Sequence, residues 1–119
     1  MAAASLFLCT GPAWAHHSFA AEFDANRPVR LDGVVTKLEW ANPHAVIYLD
    51  VKAPHGEAVS WWIEAGSPNA LSRRGFTKTS ICQGTHVVVE GFQDKSGSHR
   101  ASGSAILLPN GQRVLLNAR

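Results

Sequence analysis

The histidines His16, His17 and His44 are the side chains of this sequence best suited to holding a metal ion. Ala13-Trp14-Ala15 sets small residues on either side of Trp14, the pattern after which a signal peptidase cleaves. Cleavage after Ala15 would make His16 the first residue of the mature chain, with an α-amine and an imidazole on the same residue. The two groups close a small chelate ring around a metal. An α-amine has a reference pKa of about 7.7–8.0, so a metal displaces its proton at modest cost. Neutral imidazole is a common ligand, and nitrogen donors favour copper(II) among the divalent first-row metals. His44 follows the rigid Asn42-Pro43 pair and would add a further ring from a fixed position. The expected cofactor is copper(II) or another late transition metal. The competing reading leaves His16 and His17 in solvent, with His44 capping its own turn.

A second candidate is aromatic. Trp61 and Trp62 are adjacent, so on a strand only one of them points inward. Trp61 keeps phase with Val59 and Ile63 and belongs to the core, which leaves Trp62 and Tyr48 to form an outer face. Such a face could take a sugar, a peptide or a protein partner, or simply pack beneath the N-terminal segment against Phe19 or Phe23. His55 and His99 fall in loops, and His86 opens a strand in a structural role.

No reaction is expected. Glu22, Asp24, Glu39 and Glu64 are not spaced as an acid–base pair, and the chain lacks Gly-x-Ser-x-Gly, His-Glu-x-x-His and Cys-x-x-Cys. Cys9 lies in the leader, so Cys82 would be left alone in the mature chain, without a partner for an internal disulfide. A buried, small-hydrophobe role is expected for it.

Residues 1–15 read as a signal peptide: an apolar run, then Gly11-Pro12, then the cleavage pattern. The segment lacks a basic opening and is short, as a leader truncated at its start would be. An uncleaved leader is the alternative, and its apolar run is too short to span a bilayer, which takes about 20 residues. The reading is therefore of an exported, periplasmic protein with no transmembrane segment in the mature chain. The formal net charge of +2 is too weak, and too scattered, for a nucleic-acid backbone binder. Apolar residues make up 45% of the chain, enough for one globular domain over residues 16–119. Residues 16–28 form its N-terminal arm, ending at the Asn26-Arg27-Pro28 loop signal.

The elements that must position these groups follow in order. A long strand runs from Val29 to Trp40, with a slip of apolar phase at Gly33 that suggests a β-bulge. Ala45 to Val51 and Glu57 to Ala65 alternate as two further strands around the Pro54-His55-Gly56 turn. One short helix follows: Ser67 caps it, Pro68 fits its first position, and Gly75 closes it. Strands from Thr85 to Phe92 and from Arg100 to Leu108 come next. Asn110-Gly111 then turns the chain into a short last strand. Three strands, a helix and two strands with a terminal ribbon match an all-β fold. The specific expectation is a small five- to six-stranded OB-like Greek-key barrel with its helix between strands three and four. A small open β-sandwich is the runner-up.

The stretches His16-His17-Ser18-Phe19-Ala20-Ala21-Glu22-Phe23-Asp24 and Trp40-Ala41-Asn42-Pro43-His44 add a resemblance. With Leu71-Ser72-Arg73-Arg74-Gly75-Phe76 and Val89-Glu90-Gly91-Phe92, they are similar to a family of small bacterial periplasmic proteins of unknown function. The resemblance covers essentially the whole mature chain. It implies export and a compact β barrel, and it carries over no catalytic residues.

Overall fold

A computed structural model describes residues 19–117. The strands are β1 (Phe23–Glu39), β2 (Val46–Lys52), β3 (Ala58–Glu64), β4 (His86–Asp94), β5 (Arg100–Leu107) and β6 (Arg113–Leu115). One helix, α1 (Pro68–Arg73), lies between β3 and β4. A single helical turn over residues 19–22 precedes β1.

The sheet order is β3-β2-β1-β4-β5-β6, and β3 also pairs with β5. That second pairing closes a five-stranded ring. It is parallel and short: Trp62 faces Arg100, Ile63 faces Ala101, and Glu64 faces Ser102. The other pairings are antiparallel. This is the Greek-key barrel expected of an OB-like chain, and the short last strand continues β5 outward.

β1 makes closure possible because it serves two neighbours. Its first half pairs with β4 and its second half with β2, and Gly33 and Val34 pair with both. Leu31, Gly33 and Val35 face the core, whereas Val34 points outward. The slip in register falls between Val35 and Lys37, not at Gly33. Gly33 answers a different need. A Cβ there would lie 2.5 Å from the Asp50 carbonyl oxygen, so the strands approach this closely only without a side chain.

β1 begins at Phe23, within the stretch 16–28 expected as an arm, of which residues 16–18 lie outside the described residues. Phe23 already pairs with Asp94, and the next β1–β4 partners are Pro28 and Phe92. Asn26-Arg27-Pro28 is therefore not a free loop; the intervening residues bulge out of a strand that has already begun.

Ile47, Leu49, Ile63, Val87, Val89 and Ile106 fill the barrel. Leu71 of α1 and Phe76 behind it are fully buried. The Ser67 hydroxyl accepts the Ala70 amide at 3.2 Å. At the other end Gly75, at φ +87°, reverses the chain so that the Phe76 amide donates to the Leu71 carbonyl at 3.0 Å. The helix is only six residues long, so packing of Leu71, more than helix propensity, holds it in place. No helix among the described residues is long and apolar enough to cross a membrane.

Candidate functional site

The outer face of β3, β5 and β4 carries two cross-strand rows. Trp62 and Arg100 begin one, with Asp94 beyond Arg100; Glu64, Ser102 and Phe92 form the other. The segment from residue 19 to Phe23 lies against this face. Phe19 stacks on Phe23 with ring centres 5.8 Å apart and meets Phe92 edge-on at 6.0 Å.

Arg100 fastens the segment down. Its guanidinium lies 4.5 Å from the Trp62 ring centre and 5.1 Å from that of Phe23. One nitrogen donates to Glu22 and another to Asp94, each at 3.1 Å. The Lys95 amide also donates to the Glu22 carbonyl at 2.9 Å. Asp94 is suited to its part. Hydrogen bonds from Ser96, reinforced by Arg100, hold its carboxyl below the usual aspartate range. A planar guanidinium can stack on rings while its edge bonds carboxylates, a combination that lysine does not offer.

His44 sits where the chain enters β2, after a cis Asn42–Pro43 bond. Its Nδ1 lies 3.1 Å from the Ala65 carbonyl oxygen and its Nε2 lies 3.2 Å from Oε1 of Glu64. Backbone bonds fix the Ala65 partner, because the Ala45 amide donates to the Gly66 carbonyl and the Ala65 amide donates to the Ala45 carbonyl, and Glu64 is placed by its pairing with Val46. His44 is thus firmly positioned, as the Asn-Pro turn suggested. The neighbour sequence reasoning missed is Glu64. Its proximity follows from the β2–β3 register, in which Val46 faces Glu64, and no local spacing signals it. His16 and His17 lie outside the described residues. Among the described residues, no three His, Cys, Asp or Glu side chains converge as a metal site.

Tyr48 and Trp62 are direct cross-strand neighbours, so the expected outer aromatic pair exists. Both rings are already engaged. Arg100 covers Trp62, the Tyr48 hydroxyl donates to Glu39 at 3.1 Å, and Lys37 lies 5.5 Å from the Tyr48 ring centre. Burial, with help from Glu39, pushes the Tyr48 hydroxyl above its ordinary value. Glu39 is lowered by its hydrogen bonds with Lys37 and then Tyr48, and Lys37 is raised mainly by Glu39.

The remaining residues fall outside this face. His86 pairs with Asp32 on the exposed surface of the barrel. The two line a groove of about 460 Å³ with Val34, Asp50 and Lys52. The His99 ring packs 5.1 Å from that of Trp61. Cys82 is exposed, contrary to the buried role expected of it. Ile81 takes the inward position, and the turn over Cys82–Thr85 directs the thiol toward the Thr85 hydroxyl at 3.4 Å.

Fold and site together define a small closed β barrel with an N-terminal segment latched across its outer face. The chain belongs to a family of unknown function (DUF6152), whose model matches residues 4–104. No curated protein and no solved structure matches it.

Proposed function

We propose that this protein is an exported, periplasmic binding or accessory protein that holds copper(II), or another late transition metal, through His16, His17 and His44. One observation carries the reading. The N-terminal segment is latched by Arg100 onto the face that also bears His44 and Glu64. Phe19 rests on Phe92, which lies in the same cross-strand row as Glu64 with β5 between them. Two strand spacings amount to about 10 Å. Three residues of chain, the separation of His16 from Phe19, also reach about 10 Å. A reach of this length is what a histidine three residues before Phe19 would need to approach the Glu64 end of the row, and it supports the reading.

The Ala65 carbonyl supports the same reading. A metal-binding histidine commonly donates its second ring N–H to a carbonyl or carboxylate, which fixes the tautomer and aims the free nitrogen. The aromatic alternative, a ligand on Tyr48 and Trp62, would first have to displace Arg100 from Trp62 and so loosen the latch.

The test is calorimetric titration of copper(II) into a chain whose first residue is verified as His16, beside one with a single extra residue before it. The described core residues all lie between Phe23 and Leu116, so both chains keep them. Outer-shell partners alone change metal affinity by about 10- to 100-fold, so loss of the amine chelate should cost at least about tenfold. Equal affinity for both chains would remove the terminal chelate.

A further inference from the structure

We infer that the outer face of β1, β4, β5 and β6 pairs with the same face of a second copy of this chain, about a two-fold axis parallel to the strands. This surface is separate from the proposed metal site and independent of it.

Exposed apolar side chains supply the first reason. Among the described residues, the large hydrophobic side chains left exposed are Val34, Leu107 and Leu115, at 40%, 40% and 47%. All three lie on this face. Val35, Ile106 and Val114 point into the core, so Val34, Leu107 and Leu115 beside them point out. Single exposed apolar residues are ordinary on a protein surface, whereas a group of them ringed by charges marks a contact surface. Here the charges are Arg30, Asp32, Glu90 and Arg113, with His86 beside them. The latch segment meets β4 farther along, at Phe92.

The order of the charges supplies the second reason and names the partner. Asp32, Val88, Leu107 and Arg113 are successive neighbours across β1, β4, β5 and β6. The row is acidic at one end, basic at the other and apolar between, over three strand spacings or about 14 Å. Such a row is complementary to its own reverse. A two-fold axis midway between β4 and β5 lays the row of a second copy, reversed, over the first. Asp32 then faces the partner's Arg113, and Val88 meets the partner's Leu107. The same patch serves both copies, so the pair closes on itself.

The neighbouring row obeys the same axis. It reads Arg30, Glu90, Ala105 and Leu115. Turned over, it lays the aliphatic stem of Arg30 across the partner's Leu115 and sets the small Ala105 opposite the partner's Glu90. The charged ends of the first row have atoms to spare for the new contact. His86 bonds one carboxylate oxygen of Asp32, and one guanidinium nitrogen of Arg113 bonds Glu90. The Asp32 and Arg113 side chains are 57% and 55% exposed, so these pairs are weak and easily shared.

The experiment measures self-association of the full chain by sedimentation velocity over a concentration series, with thermal melting of each variant to check the fold. The parent should dimerise. Leu107→Glu, which sets a carboxylate at the centre of the contact, should weaken the dimer at least about tenfold. Asp32→Arg brings two arginines face to face and Arg113→Asp brings two aspartates, so each alone should be weakened by a similar factor. Mixed in equal amounts, these two variants should pair with each other at least about tenfold more tightly than either pairs with itself, because every acid again meets a base. A fold defect cannot produce that recovery. The double variant, with both charges exchanged, should dimerise like the parent, and it carries the test with Leu107→Glu if one single variant does not fold. A parent that stays monomeric at every concentration overturns the proposal. So does a dimer that none of the three substitutions weakens, which must use another surface. If the single variants weaken the dimer and neither their mixture nor the double variant recovers it, the two-fold arrangement is wrong and the assignment fails.

Discussion

Arg100 and Glu22 are 78 residues apart in sequence and 3.1 Å apart in space. The contact joins the start of the described chain to the strand that closes the barrel, and the guanidinium lies between the rings of Phe23 and Trp62 as it does so. A partly sheltered cation over two rings contributes about 0.5–2 kcal/mol, and its ion pairs add about 0–1 kcal/mol. Arg100→Ala should therefore destabilise the protein by about 1–3 kcal/mol in chemical denaturation. Hydrogen exchange at the amides of residues 20–23 should accelerate more than in the core of β2. Unchanged exchange there would mean that the latch contributes nothing to holding the segment.

Asp94 gives the latch an acid limit. Its carboxyl is held below the ordinary aspartate value of 3.8, chiefly by Ser96 and then by Arg100. A group whose pKa is lowered on folding stabilises the fold above its unfolded value, and that contribution is lost as pH falls through the folded value. Stability should thus decline as pH drops below about 4, and Asp94→Asn should flatten this limb of a plot of Tm against pH. An identical slope in both proteins would assign acid sensitivity to other carboxylates.

Close strand approach makes two glycines hard to replace. A Cβ at Gly91 would sit 2.2 Å from the Ser102 carbonyl oxygen, and one at Gly33 would sit 2.5 Å from that of Asp50. Neither obstacle is a side chain that can swing away. Gly91→Ala and Gly33→Ala should each cost about 1–3 kcal/mol or more, the range of overpacked sites. A melting temperature within a degree of the parent would show that the sheet relaxes more easily than this geometry implies.

Cys82 should behave as a surface thiol. It is exposed and bonds only within its own turn. Cys82→Ser should change stability by no more than about 0.5 kcal/mol. Native protein should react with a thiol reagent without prior unfolding; protection until denaturation would contradict the exposed position.

Much of the barrel was legible because β2 and β3 alternate cleanly. Ile47, Leu49, Trp61 and Ile63 fall inward at every second residue, and Ser67, Pro68 and Gly75 mark the helix. Misreadings arose where a residue's face depends on a distant neighbour. Val34 and Val35 are equally apolar, and Gly33 has no side chain to declare its direction, so the sequence points to the glycine for a slip that lies between Val35 and Lys37. Ile81 and Cys82 posed the same ambiguity, and the isoleucine took the inward place. Phe23 belongs to a strand only because Asp94 waits for it far along the chain. The His44–Glu64 pair is likewise set by two strand ends meeting in register, and a one-residue shift would send Glu64 to the opposite face.

The double duty of β1 also sets an order of assembly. Its second half can pair with β2 as soon as the first hairpin exists, whereas its first half needs β4, whose partners lie more than 50 residues away, as Asp32 and Val88 do. Such distant pairings slow folding toward the millisecond-to-second range. Arg100 comes later still, on the strand that seals the ring. Trp62 fluorescence in refolding should accordingly settle only with this last event, and an Arg100→Ala chain should form its β1–β2 hairpin at the parent rate. The segment from residue 19 to Phe23 is made before the strands that hold it and is the last to be fastened.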